Sequence, residues 1–204
     1  MAKKDLNQEL QELYFPSAKE PTVVKVPKMN FLLVDGRGDP NTSKAFQEAI
    51  GALYSLSYTM KFMLKFGPKK VEHIVMPLEA LWWTDKGTDF MTASKDCWNW
   101  TAMIAQPDHV TKDLVAKARD EITRKKKDVP GLDKVRFEAF DEGLSAQIMH
   151  IGPYAGERPN IEKLHKFITD SGHKPRGRHH EIYMSDPRRC KPEKLKTVIR
   201  QPVE

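Results

Sequence analysis

The chain has 204 residues, 39% hydrophobic and 30% charged, with a formal net charge of +6. That is enough apolar content for a core in one domain or two closely packed halves, and the charge marks a soluble protein. No stretch approaches the roughly 18 apolar residues of a membrane span. The start, Met1-Ala2-Lys3-Lys4-Asp5-Leu6, lacks the apolar segment of a signal peptide, and Cys97 and Cys190 form neither a CxxC pair nor a disulfide framework, so a cytoplasmic protein is expected.

Residues 5–14 carry Leu6, Leu10, Leu13 and Tyr14 at helical spacing and predict a short helix docked on the core. Pro16, Pro21 and Pro27 argue against regular structure around Val23-Val24, so residues 1–28 read as a helix and linker. Phe31 to Val34 reads as a buried strand stopped by Asp35-Gly36. Asn41-Thr42-Ser43 supplies caps for a long helix with the stripe Phe46, Ala49, Ile50, Leu53, Leu56, Met60, Met63 and Leu64, ending near Gly67-Pro68. Strands follow near 73–83 and 97–106, separated by the polar turn Thr84-Asp85-Lys86-Gly87. Thr111 opens a helix that joins the halves over residues 111–128.

The second half begins with strands near 135–140 and 144–151, which read as a hairpin turned by Asp141-Glu142-Gly143. A helix capped near Asn160 carries Ile161, Leu164 and Ile168 and stops at Gly172. Strands near 178–184 and 195–200 finish the chain. The order of elements in 29–110 recurs in 135–204, each half placing one glutamate in mid-strand (Glu79, Glu181) and closing with an apolar run ending Gln-Pro. The expectation is an α+β fold of duplicated β-α-β-β modules, with an antiparallel sheet and helices on one face. A pseudo-two-fold groove between the copies is a natural binding place.

A carboxylate in mid-strand has two readings. It is a solvated residue of an edge strand, or it sits in a partly apolar pocket where it pairs with a cation, accepts a donor or acts as a general base. Alternation puts His179, Glu181 and Tyr183 on one face and His180, Ile182 and Met184 on the other. Aromatic residues gather near both glutamates: Tyr54, Tyr58, Trp82, Trp83, Trp98, Trp100, Tyr154 and Tyr183. Flat walls around a carboxylate suit planar, apolar and often cationic ligands.

The histidines give no metal pattern, since His179 and His180 point to opposite faces and no HExxH occurs. No glycine-rich phosphate loop is present, and no cofactor is expected. The basic runs Lys125-Lys126-Lys127, Arg176-Gly177-Arg178 and Pro187-Arg188-Arg189-Cys190-Lys191 are interleaved with acids and read as solvated faces. With no helix-turn-helix or zinc-finger pattern, direct nucleic-acid binding is not expected.

The string His179-His180-Glu181-Ile182-Tyr183-Met184-Ser185-Asp186-Pro187-Arg188-Arg189, preceded by His150-Ile151-Gly152-Pro153-Tyr154, resembles the GyrI-like small-molecule-binding family. The segment Pro77-Leu78-Glu79-Ala80-Leu81-Trp82-Trp83 looks like its stand-alone bacterial branch. The resemblance runs from about residue 20 and implies duplicated SHS2 modules. It implies a drug-binding pocket whose glutamate is Glu181, with Tyr183 beside it. In some stand-alone members it implies hydrolysis of cyclopropanoid genotoxins. On this reading Glu181, Tyr183 and Glu79 are the candidate catalytic residues. Trp82, Trp83, Trp98, Trp100, Tyr154, Tyr54 and Tyr58 are the candidate ligand walls. The alternative is a protein that only sequesters drugs, or one that binds a protein partner as the family's gyrase inhibitors do.

Overall fold

The computed structural model describes residues 8–68, 70–85, 92–125 and 128–204. Leu6, Lys86-Gly87 and Lys126-Lys127 lie outside them. The elements are α1 (Gln8–Tyr14), β1 (Thr22–Val26), β2 (Met29–Arg37), α2 (Lys44–Phe66), β3 (Leu78–Trp83), β4 (Asn99–Gln106), α3 (Lys112–Arg124), β5 (Arg136–Phe140), β6 (Gly143–Ile151), α4 (Arg158–Asp170), β7 (His179–Tyr183) and β8 (Lys196–Pro202). Capping follows the expected chemistry: Ser43 accepts the Phe46 amide at the start of α2, and Thr111 accepts that of Leu114 at the start of α3.

The fold is α+β, with eight antiparallel strands in the order β1-β6-β8-β7-β3-β4-β2-β5. One module contributes β3-β4-β2 and the other β7-β8-β6, and the two meet where β3 pairs with β7. The apolar stripes of α2 (Phe46, Ala49, Leu53, Leu56, Met60) and α4 (Ile161, Leu164, Ile168) are buried in the core, and α3 lies against α2. The duplication read in the sequence is therefore an architectural fact.

Two sequence expectations are corrected. β5 and β6 do not form a hairpin: β5 pairs with β2, and β6 pairs with β1 and β8. Residues 22–26, assigned to a linker, form β1 at the sheet edge, where flanking prolines cost no ladder hydrogen bond. The two errors have one cause. Val26 lies opposite Gly143 and Met29 opposite Phe140, in unbroken register across the gap. Residues 22–33 and 136–147 thus form one two-stranded ribbon, kinked at Pro27-Lys28 and Asp141-Glu142. Its halves join opposite ends of the sheet.

That ribbon forces curvature. In a flat sheet, β1 and β2 would lie about 29 Å apart at the usual strand spacing. The chain from Val26 to Met29 reaches at most about 11 Å. The sheet must curl until its ends meet at the kink.

Inside the curl, Glu142 at the kink meets the central strands. Its carboxylate contacts His180 Nδ1 at 2.9 Å and accepts from Arg200 Nη1 at 3.1 Å. His180 Nε2 is 3.0 Å from Glu79 Oε2, and Tyr14 of α1 donates to Glu79 Oε1 at 2.6 Å. Arg200 also donates from Nε to Gln147 and from Nη2 to the Leu13 carbonyl. His180 and Glu79 are each 1% exposed. This is a satisfied ionic core, sealed by α1. Its members would be costly to bury singly and are tolerable only together.

Burial alone would lower the His180 pKa, but Glu142 and Glu79 raise it to about 9. Burial would raise that of Glu142, but His180 and Arg200 hold it at about 2. The His180 contribution to stability is therefore complete below its ordinary 6.5 and lost as pH rises through about 9. The Glu142 contribution is complete above 4.5 and lost as pH falls toward 2. Denaturant midpoints measured from pH 6 to 9 are expected to fall for the wild type. His180→Gln should start about 3 kcal/mol lower, the scale of a broken buried pair, and decline less steeply over that range.

Candidate functional site

On the helix-bearing face, β7 carries a different set of polar groups. In the β3–β7 ladder Glu181 lies opposite Ala80, whereas Glu79 lies opposite Ile182. Directly paired residues share a face and neighbours along a strand do not, so the two glutamates point to opposite sides of the sheet. Glu79 is held in the ionic core. It is not a neighbour of Glu181 across the ladder. Both glutamates are buried.

Glu181 is 9% exposed on a central strand, so the solvated edge-strand reading fails. His179 Nε2 lies 3.1 Å from its Oε1, and the Tyr183 hydroxyl donates to Oε2 at 2.7 Å. Tyr183 in turn accepts the Trp82 indole N–H at 3.1 Å. Burial pushes the Glu181 carboxyl up, but hydrogen bonds from His179, Tyr183 and Glu157 bring it below the ordinary carboxylate range. Glu181 is therefore an anion at neutral pH. Burial, and then the charge of Glu181, raise the Tyr183 hydroxyl well above its usual range, so it remains a donor.

Glu157, a residue the sequence reading missed, stands at the start of α4. It is 5% exposed, and its side chain makes no capping bond to its own helix. Burial and the neighbouring charge of Glu181 push its carboxyl up to about 9, with the Thr197 hydroxyl acting in the other direction. The signal lay in Arg158-Pro159: proline favours the first turn of a helix, which puts the N-terminal boundary at Glu157 rather than at Asn160. Asn160 instead bonds His150. His179 was placed on the correct face from alternation alone, but nothing in its neighbours indicated that it would hold Glu181.

Trp82 and Trp98 meet edge to face at 5.5 Å, and Tyr154 and Tyr183 at 5.7 Å. These four, with Glu181, form one aromatic cluster. Tyr54 of α2 accepts the Leu78 amide at 3.2 Å. From it an aromatic ladder runs out along α2: Tyr54–Tyr58, Tyr58–Phe62 and Phe62–Phe66 stack at 6.2, 6.3 and 6.1 Å.

Two of the candidate walls are elsewhere. Trp83 lies on the Glu79 side of the sheet, with the Arg178 guanidinium 3.6 Å from its ring centroid. Trp100 is 1% exposed and packs edge-on to Phe46 at 4.9 Å. Its ring covers Gly36, where an added Cβ would sit 2.2 Å from the indole. It is core. A cleft of about 160 Å³ near Trp83 is lined by Leu81, Phe140, Glu142, Arg176 and Arg178. Asp141 also lines it, and Arg176 there holds the Glu142 and Val203 carbonyls. Among the described residues no group of three His, Cys, Asp or Glu could hold a metal ion. Nor is any helix among them long and apolar enough to cross a membrane.

The family model of the GyrI-like small molecule binding domain matches residues 19–204. The chain belongs to that family. This GyrI-like chain is similar to an uncharacterized conserved protein from Listeria innocua, with 38% identity, 97% and 98% of the two chains covered and a TM-score of 0.88. It is also 36% identical to a protein described as a hydrolase from Listeria innocua, over 97% and 98% of the chains, with a TM-score of 0.84. The EcmrR C-terminal domain shares the fold alone, at 14% identity and a TM-score of 0.54. No curated protein sequence matches significantly.

The division of the tryptophans is open to measurement. A planar ligand bound at the Glu181 aromatic cluster should change the intrinsic emission, and Trp98→Phe should remove most of that response while Trp83→Phe leaves it in place. Gly36→Ala should cost roughly 1–3 kcal/mol in thermal or denaturant unfolding, the usual scale of overpacking, because the Trp100 ring must move.

Proposed function

We propose that this GyrI-like chain binds flat, multi-ring molecules in the aromatic cleft and hydrolyses an electrophilic strained ring of the cyclopropanoid type, acting in the cytoplasm. The observation that carries the reading is an ionised, buried carboxylate, Glu181, set among aromatic rings with a tyrosine hydroxyl bonded to it. Similarity to a Listeria innocua hydrolase over nearly the whole chain supports the same class of chemistry.

In the step proposed, Glu181 takes a proton from water as the water oxygen bonds to the ring carbon. The carbon–carbon bond of the strained ring breaks, and its electron pair moves to a conjugated carbonyl of the ligand. Tyr183 donates to the oxyanion that forms, a type of contact worth a few kcal/mol. With three donors, Glu181 is a weak base at rest. Turning the Tyr183 hydroxyl toward the ligand removes one donor and raises its basicity at the moment it is needed. Trp82 and His179 fix the geometry of the pair.

A second reading rests on the same low basicity. A carboxylate already satisfied by three donors can serve as a fixed negative charge beside aromatic faces, binding cationic planar drugs without turnover.

Turnover separates the two. With excess cyclopropanoid, more than one ring-opened product per chain is expected. Glu181→Gln should lower the rate by about 10²-fold or more while planar ligands still bind. Glu79→Gln should weaken folding and leave the chemical step of the folded protein near the wild-type rate. Equal turnover in the Glu181 variant would end the mechanism. Single-turnover stoichiometry in the wild type would favour sequestration.

A further inference from the structure

The Glu157 carboxyl is buried and does not cap its helix, and its Oε1 has no hydrogen-bond partner among the described residues. Thr197, on β8, has a buried hydroxyl that acts on the same carboxyl. Burial of this kind is tolerated for a neutral acid far better than for an anion. After burial, the Glu181 carboxylate acts most strongly on Glu157, by its charge and through a side-chain hydrogen bond between the two. Two carboxyls can hydrogen-bond only if one of them carries a proton.

The surrounding groups decide which one. His179 and Tyr183 of β7 both face Glu181 and stabilise its charge. Around Glu157 the facing groups are Glu181 itself and the hydroxyls of Thr197 and Tyr154, with Lys95 contributing only a weak attraction. Arg158, the next residue on its own helix, is turned to Glu162. The donors converge on one carboxyl and leave the other without a charge partner.

We propose that Glu157 is a positioning residue of this site, carrying a proton at neutral pH and donating it to Glu181, so that the two buried carboxyls share a single negative charge. Glu157, His179 and Tyr183 then fix the Glu181 carboxylate from three directions, which holds its remaining lone pairs toward the cleft. A single charge also sets which ligands the cleft accepts. A neutral or singly cationic flat molecule is electrostatically matched, whereas a dication would have to draw the proton from Glu157. This deepens the reading of the site given above and rests on it for the ligand class, but the shared proton can be observed without any ligand.

Infrared difference spectroscopy of the unliganded protein provides the test. At pH 7 the wild type should show the carbonyl stretch of a neutral carboxylic acid, shifted by deuterium exchange and disappearing as pH passes about 9. Glu157→Gln should abolish that band. Glu181→Gln should keep it but move its disappearance to lower pH, because the repelling charge is gone. The alkaline limb of planar-ligand binding should lie near the same pH in the wild type and be lost in Glu157→Gln. Absence of the band at pH 7, or its survival in Glu157→Gln, would overturn the proposal. A band that behaves as described in a protein without turnover would retire the hydrolase reading and leave the shared proton standing.

Discussion

The side-chain alternation of two paired strands governs this molecule. Where β3 meets β7, a step of one residue moves a carboxylate from one face of the sheet to the other. Glu79 and His180 fall on the side enclosed by the curl, and Glu181, Tyr183 and Trp82 on the side that carries the helices. The same short ladder therefore builds a closed ionic core beneath the sheet and an aromatic cluster around a carboxylate above it. Either face can be polar in mid-sheet only because the other elements arrive to satisfy it: α1 and the ribbon kink on one side, the start of α4 on the other.

The two carboxyl pairs show how surroundings assign opposite behaviour to one residue type. Glu79 and Glu142 flank His180, and Arg200 closes the circuit, so the negative charges are met by positive ones. Glu157 and Glu181 face each other with no guanidinium between them, and the repulsion raises the Glu157 pKa. An arrangement of the first kind is locked. An arrangement of the second kind keeps a net negative charge, which is the condition under which a ligand changes the energy of a site. The surroundings of Glu181 are thus where the fold has left electrostatic work undone.

Much of this was legible in the sequence. The element order, the duplication and the shared face of Glu181 with Tyr183 follow from hydrophobic period and alternation, whereas the burial of the two glutamates was one of two open readings. What escaped were relations between distant segments. Asp141-Glu142-Gly143 has the composition of a hairpin turn, and nothing local tells that Glu142 is drawn in by Arg200 and His180. The match of Glu79 with Glu181 was drawn from order along the chain, yet the faces are set by the β3–β7 register, which single strands do not carry. Trp98 and Trp100 were grouped because they share a face, yet Trp100 is buried over Gly36, and alternation puts Trp83 on the side of the sheet opposite Trp82. Glu157 went unnoticed because its importance lies in a partner more than twenty residues away on another strand.

The kinked ribbon has a consequence for how the protein comes into being. The first module, as it leaves the ribosome, contains β1 but not the β6 strand that β1 must pair with, and the outer edge of β2 stays bare until β5 is made. Neither module can complete its sheet alone, since each borrows an edge strand from the other. Closing such long loops before any pairing is gained makes folding intrinsically slow, and exposed strand edges in the interval invite association with other chains. A duplication that began as two separable copies has become a single cooperative unit, and the protein can be assembled only when its last third has been synthesised.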